Sequence, residues 1–307
     1  MKVTVCRLAS VVVLLLLLNS CGGSSGGGNR SIGGGTTASF THVAVVVLEN
    51  QDFSNIIGNV NMPFLNSLAS QNSLARQYFA NTHPSIGNYF MMTTGQIITN
   101  DDAFTGTVSD DNIARELTNA GKTWKVYAEN LPSQGFTGGD VFPYLKHHNP
   151  FAYFTDVIGT SQANNLVPFP QLTSDVSANS LPNFLFIVPN AQNDMHDCPA
   201  GFSTCTLADK AANTDAWLQN NLSGLLANSD FQSNGFLVIT FDESETDNTN
   251  GGGRVATVLV GPRVKQAFAS DNTYQHQSLL RTALESLGVT TLPGAASGAA
   301  SMSEFLQ

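Results

Sequence analysis

Val43-Ala44-Val45-Val46-Val47-Leu48-Glu49-Asn50 is a continuous apolar, valine-rich run that stops abruptly at an acid and an amide. A run of this kind without polar alternation belongs to a strand buried on both faces, as in parallel sheets. Residues 41–48 therefore read as a strand, and similar signals alternate with helical ones along the chain. Phe64, Leu65, Leu68 and Ala69 have helical spacing just after Pro63, which a first turn tolerates. Ile113, Ala114, Leu117 and Ala120 repeat that spacing, with Asp110 as the expected cap and Gly121 as the stop. Residues 123–128 form a short strand, followed by a Gly/Pro-rich stretch to Pro150. Residues 184–188, 236–241 and 255–260 are further strands. An amphipathic helix runs from Leu207 to Leu225, and another closes the fold at 278–287. This alternation predicts an α/β fold of three layers: a mainly parallel central sheet with helices on both faces.

Ahead of this body lies a segment to be set aside before any fold is considered. Lys2 and Arg7 precede an apolar stretch from Leu8 to Leu18, too short to span a bilayer comfortably. It closes on Leu18-Asn19-Ser20-Cys21, which resembles a lipoprotein signal with Cys21 as the acylated residue. An ordinary secretory signal with an incidental cysteine is the alternative. Residues 21–39 are nearly all Gly, Ser and Thr, the composition of a flexible tether. The expected organisation is a signal at 1–20, the tether at 21–39 and one domain at 40–307. The protein is then exported and held at a membrane, periplasmic or at the cell surface. In that setting Cys198 and Cys205 are expected to form a short-loop disulfide.

A formal net charge of −10 argues against a nucleic-acid partner, which needs a basic face. It leaves room for a small phosphate-bearing substrate. Polar residues collect where the strands end. The first strand runs into Glu49-Asn50, residues 184–188 lead to Asn193-Asp194-Met195-His196-Asp197, and 236–241 end in Asp242-Glu243. Open parallel sheets bring such ends to one rim. Asn81-Thr82-His83-Pro84-Ser85-Ile86-Gly87-Asn88-Tyr89 places a hydroxyl at the mouth of a helix, where free N–H groups favour an anion. Taken singly, each has a plain structural reading. Glu49-Asn50 can cap a short helix at 53–57, and Ser85 can be a cap. Asp242-Glu243 can open a solvated acidic loop, His196 can be a satisfied loop residue, and His147-His148 can lie on the surface. Taken together, Glu49, Asn50, Asp242 and Glu243 supply hard oxygen ligands for a divalent ion, Mg, Ca, Mn or similar. Such an ion would activate the Ser85 hydroxyl, with Asn88 one turn further on donating to a phosphoryl oxygen. His83, His196 and His276 would move protons.

With those residues in view, the chain resembles the bacterial phosphoesterases that include acid phosphatases and non-haemolytic phospholipases C, within the alkaline-phosphatase-like superfamily. The resemblance runs from about Val43 to Leu287 and adds His148-Asn149-Pro150-Phe151 and His276-Gln277-Ser278 to the motifs above. It implies that Ser85 accepts the phosphoryl group and, with Glu49, Asn50, Asp242 and Glu243, holds one divalent metal, zinc among the candidates. His83, His148 and Asp194 would bind substrate, with His196 and His276 catalytic. Asp194, His196 and His276 are where a second metal would sit. Asp242-Glu243 stands where wider relatives carry Asp-His, which favours a single oxygen-rich site. The expected activity is metal-dependent hydrolysis of a small phosphate monoester through a phosphoserine. A phospholipase C-like diesterase is the alternative within enzymes, and a catalytically silent surface lipoprotein the alternative outside them.

Overall fold

The computed structural model describes Met1 and residues 39–307. Apart from Met1 and Ser39, the signal and tether lie outside the described residues, and so does the acylation candidate Cys21.

The valine-rich run forms β1 (His42–Leu48), and all seven of its residues are buried. The chain continues through α1 (Phe53–Ile56), α2 (Pro63–Gln71), β2 (Ser73–Phe79), α3 (Ser85–Thr94), α4 (Ile113–Asn119) and β3 (Trp124–Ala128). After the long loop come β4 (Leu166–Pro168), α5 (Pro170–Ser177), β5 (Phe184–Val188), α6 (Leu207–Ala227) and α7 (Ser229–Asn234). The last elements are β6 (Gly235–Phe241), β7 (Thr257–Val260), β8 (Phe268–Gln275) and α8 (His276–Ser286). The eight strands make one sheet in the order β4-β3-β5-β1-β6-β7-β2-β8. Strand β1 lies in its interior, with Val43 beside Phe184 of β5 and beside Phe236 of β6, both parallel. Only β7 runs against its neighbours, antiparallel to β6 and to β2. The sheet is thus mainly parallel. Helices α3, α4 and α8 pack together on one face, and α2, α5, α6 and α7 on the other.

Three strands escape a reading based on apolar runs. β8 is an edge strand paired only to β2, and its sequence Phe-Ala-Ser-Asp-Asn-Thr-Tyr-Gln is largely polar. Beside it, β2 carries Arg76 and Gln77, and Arg76 pairs with Asp271 of β8 at 2.6 Å. β4 is only three residues long. The cap of α4 also differs from expectation: Asn112, not Asp110, accepts the Arg115 N–H at 3.0 Å. Asn112 adjoins the first turn, whereas Asp110 stands too far upstream to reach it.

Candidate active site

Because β7 reverses direction, β2 and β8 run parallel to β1, β5 and β6. Five strands therefore deliver their carboxyl ends to one rim. β1 hands over Glu49-Asn50, β2 leads to Ser85, β5 leads to Asp194, β6 delivers Asp242-Glu243 and β8 runs straight into His276, the first residue of α8. Backbone bonds lock the turns together: Glu49 N–H to the Asp194 carbonyl (2.8 Å), Asp242 N–H to Leu48 (2.9 Å) and Gln51 N–H to Glu243 (3.1 Å).

Ser85 is the first residue of α3, with Pro84 at the cap position, so its hydroxyl is not used as a cap. The hydroxyl donates to Glu49 Oε2 at 3.0 Å and lies 3.4 Å from Asn50 Oδ1. The Asn50 N–H donates to Asp242 Oδ1 at 3.1 Å. Asn50 holds a left-handed φ of 42°, a conformation asparagine adopts more readily than most residues and one often found at functional sites. Its neighbour Glu49 does not cap α1, whose N-cap is Asp52. Tyr89, one turn along α3 from Ser85, donates from its hydroxyl to Glu49 Oε1 and stacks on His148 with ring centroids 5.2 Å apart.

Glu49, Asp194, Asp242 and Glu243 are all buried. Burial pushes the Glu49 and Asp194 carboxyls well above the usual range, and the neighbouring acids add to this. It raises Asp242 to about 6; burial, then Asp242 and Asp102, raise Glu243 to about 9. Buried carboxylates gathered in this way call for a cation, and two observations agree with one. The buried Asp194 Oδ2 has no hydrogen-bond partner. Glu49, His148 and Asp194 also bring one ligand atom each within 4.8 Å of one another. The donor set, carboxylate and amide oxygens with one imidazole, fits a divalent metal.

The histidines divide sharply. His148 is buried between two acids, with Nε2 3.4 Å from Glu49 Oε1 and Nδ1 3.4 Å from Asp194 Oδ2. Burial, then His147 and His196, hold it well below the usual imidazole range. His83 sets Nδ1 3.1 Å from Glu243 Oε2 and Nε2 3.3 Å from the Asp247 carbonyl. His196 stands at the surface, its Nδ1 2.9 Å from Asp197 Oδ1. His276 departs from the sequence expectation. Its Nε2 donates to the Asp242 carbonyl at 2.6 Å and its Nδ1 takes the Tyr78 hydroxyl at 3.1 Å. Burial lowers it to about 4. Both nitrogens are occupied by protein, so His276 is a neutral brace under Asp242, with no nitrogen left for a proton transfer or a second metal.

Asn88 also departs from expectation. Its amide donates to the Thr82 carbonyl (2.9 Å) and to Glu243 Oε2 (3.1 Å), and accepts from Asn81 and Thr82 N–H. Both its N–H bonds are used inside the protein, and it fixes the Ser85 loop to Glu243. The turn after β5 is likewise braced, with Glu129 accepting from the Asn190 N–H at 3.0 Å and from Asn193 Nδ2 at 2.9 Å. Cys198 and Cys205 are joined as a disulfide beyond His196. Tyr78 and Tyr89 are site residues to which the sequence reading assigns no role. For Tyr89 the i, i+4 spacing from Ser85 was the available signal; for Tyr78 no sequence signal existed.

A family model described as the phosphoesterase family matches residues 59–290. The chain is 34% identical over 246 residues to a phosphatidylinositol-3-phosphatase of Mycobacterium tuberculosis, covering 80% of this chain and 76% of that one. It is 30% identical over 256 residues to a probable acid phosphatase of Kluyveromyces lactis, covering 79% of this chain and only 57% of that one. Among solved structures, an alkaline phosphatase superfamily protein from Vibrio parahaemolyticus superposes with a TM-score of 0.61 at 13% identity, over 83% of this chain and 68% of that one. The fold is alkaline-phosphatase-like, and the chain belongs to the phosphoesterase family, the hydrolases of phosphoric esters.

Proposed function

We propose that the protein is a metal-dependent, acid-phosphatase-like monoesterase in which Ser85 is the nucleophile. The observation that carries this reading is the Ser85 hydroxyl, at the N-terminus of α3, hydrogen-bonded to Glu49 among buried acids that, among the described residues, have histidines but no lysine or arginine beside them. Glu49, Asn50, Asp242 and Ser85 would hold the ion, with Glu243, Asp194 and His148 around them; such an ion supplies Lewis-acid charge for phosphoryl oxygens and lowers the pKa of the serine hydroxyl. The N-terminus of α3 favours the phosphoryl group, which would compete with Asp102 for the Ile86 N–H. Ser85 Oγ bonds to phosphorus as its proton passes to Glu49 Oε2, and the phosphorus–alkoxide bond breaks. His196, whose Nε2 is open at the surface, gives the departing alcohol its proton. Water then attacks phosphorus as its proton passes to His196, the Ser85–phosphorus bond breaks, and the serine recovers its proton from Glu49. His148 holds Glu49 and Asp194 apart, and Asn88 and His83 fix Glu243. At the other end of the chain, acylated Cys21 and the tether place the domain at a membrane surface.

The monoesterase reading draws on the phosphatase names of the two relatives. Its test is hydrolysis of 4-nitrophenyl phosphate and of the matching choline diester between pH 4 and 9, with and without a chelator, for the native protein and Ser85→Ala. Chelator-sensitive monoester cleavage that falls by about 10³ or more in Ser85→Ala is expected. Dominant diester cleavage would make the protein a phospholipase C-like enzyme, and metal binding without turnover would make it a binding lipoprotein. Near-normal turnover in Ser85→Ala would remove Ser85 from its role.

A further inference from the structure

The two oxygens of Glu49 have different partners. Oε2 accepts the Ser85 hydroxyl at 3.0 Å, and that hydroxyl lies 3.4 Å from Asn50 Oδ1, so this oxygen belongs to the side where the ion would sit. Oε1 accepts the Tyr89 hydroxyl and lies 3.4 Å from His148 Nε2. Tyr89 is fixed from several directions. It is 1% exposed, its ring stacks on His148 with an interplanar angle of 11°, and Phe186 of β5 meets it edge-on at 6.4 Å. Its place on α3, one turn after Ser85, sets the phenol and the nucleophile on the same helical face. One helix therefore presents a donor to each oxygen of the same carboxylate, and the carboxylate plane cannot turn without losing both bonds.

That clamp bears on which ion the site takes. Calcium favours carboxylates that chelate through both oxygens, in shells of about six to eight ligands at 2.3–2.6 Å. Magnesium demands a near-octahedral shell at about 2.0–2.1 Å, which the narrow bite of a chelating carboxylate fits poorly. With Oε1 committed to Tyr89, Glu49 has one oxygen for an ion beside Ser85. A bond that orients a metal ligand in this way commonly changes metal affinity by about 10–100-fold. Resting on the metal-dependent reading above, we propose that Tyr89 is a positioning residue: it holds Glu49 to one-oxygen ligation and sets the site's preference for a small divalent ion over calcium. A hydroxyl that only satisfied a buried carboxylate would stabilise the fold without distinguishing one ion from another.

The test is isothermal titration calorimetry of the metal-stripped full chain with Mg²⁺, Mn²⁺, Zn²⁺ and Ca²⁺, for the native protein and Tyr89→Phe. That substitution removes the hydroxyl and keeps the ring against His148 and Phe186. Binding that disappears in Asp242→Asn belongs to this site. The native site should bind at least one small ion more tightly than Ca²⁺. In Tyr89→Phe the Ca²⁺ affinity relative to that ion should rise about tenfold or more. Tyr89→Met, flexible and without a hydroxyl, takes its place if Tyr89→Phe does not fold. A native preference for Ca²⁺, or a ratio unchanged in a folded variant, overturns the Tyr89 assignment alone; Ca²⁺ still undetected in the variant counts as unchanged. No binding of any of these ions at this site overturns the metal-dependent reading and the assignment with it.

Discussion

Replacing Asn88 separates a residue that braces the site from one that touches substrate. Its fully buried amide makes four hydrogen bonds: from Asn81 N–H (3.0 Å) and Thr82 N–H (3.2 Å), to the Thr82 carbonyl (2.9 Å) and to Glu243 Oε2 (3.1 Å). Asn88→Ala strands two N–H groups and one carbonyl, and leaves Glu243 with His83 alone. At about 1–3 kcal/mol for each of the three unsatisfied groups, the loss comes to about 3–9 kcal/mol, a large share of a typical stability of about 5–15 kcal/mol. Asn88→Asp keeps the shape but sets acceptors against Glu243 and the Thr82 carbonyl, and should cost as much. Urea unfolding at pH 7, followed by circular dichroism and extrapolated linearly to water, measures both. A loss under about 1 kcal/mol in each, joined to a fall in kcat of about 10²–10³, would refute the bracing role and return the amide to the phosphoryl group.

Gly87→Ala places a methyl group against Asn100 Oδ1 and 2.6 Å from Thr82 Cγ2; it should lower kcat at least tenfold by shifting the first turn of α3, and unchanged steady-state kinetics would count against that packing. Burial works to raise the Asp175 carboxyl, but hydrogen bonds from Lys125 (2.6 Å), Tyr127 (2.7 Å) and Gln171 (2.9 Å) outweigh it and hold it below 3.8. The stability this contributes is present above the unfolded value and lost as pH falls through the folded one. The melting temperature of Asp175→Asn should therefore trail the native protein's at pH 7, with the gap narrowing below pH 3.8; a gap constant with pH contradicts it. Opening the Cys198–Cys205 bridge by paired serines, at a sequence separation of 7, should cost about 2 kcal/mol in urea unfolding, and no measurable change would show that the loop is held by other contacts.

The sheet was legible where burial is two-sided. β1, β5 and β6 announce themselves as apolar runs because both of their faces are covered, and their carboxyl ends gave the positions of Glu49, Asp194 and Asp242. β8 was silent because an edge strand can be polar, and β2 because its Arg76 and Gln77 interrupt the run. Residue types also showed which chemistry collects at the rim, but not how each group is engaged. His276 and Asn88 have the composition of catalytic residues, yet their hydrogen-bonding capacity is met within the fold by Tyr78, Asp242, Thr82 and Glu243, partners distant in sequence or hidden in a turn. Tyr89 gained its place against Glu49 through helical geometry alone.

The interior position of β1 also governs the order in which the molecule can assemble. It is the first strand made, but its partners are Phe184–Val188 and Gly235–Phe241. Until both have emerged, an unusually apolar strand has two unpaired edges, and nothing N-terminal to β5 can serve as an independently folding half. Folding is thus governed by long-range closure, and nascent or truncated chains ending before β6 should depend on chaperones to stay soluble. Ser85 and Asp242 come together only once that closure is complete, so a catalytic rim and a finished sheet arise in the same event.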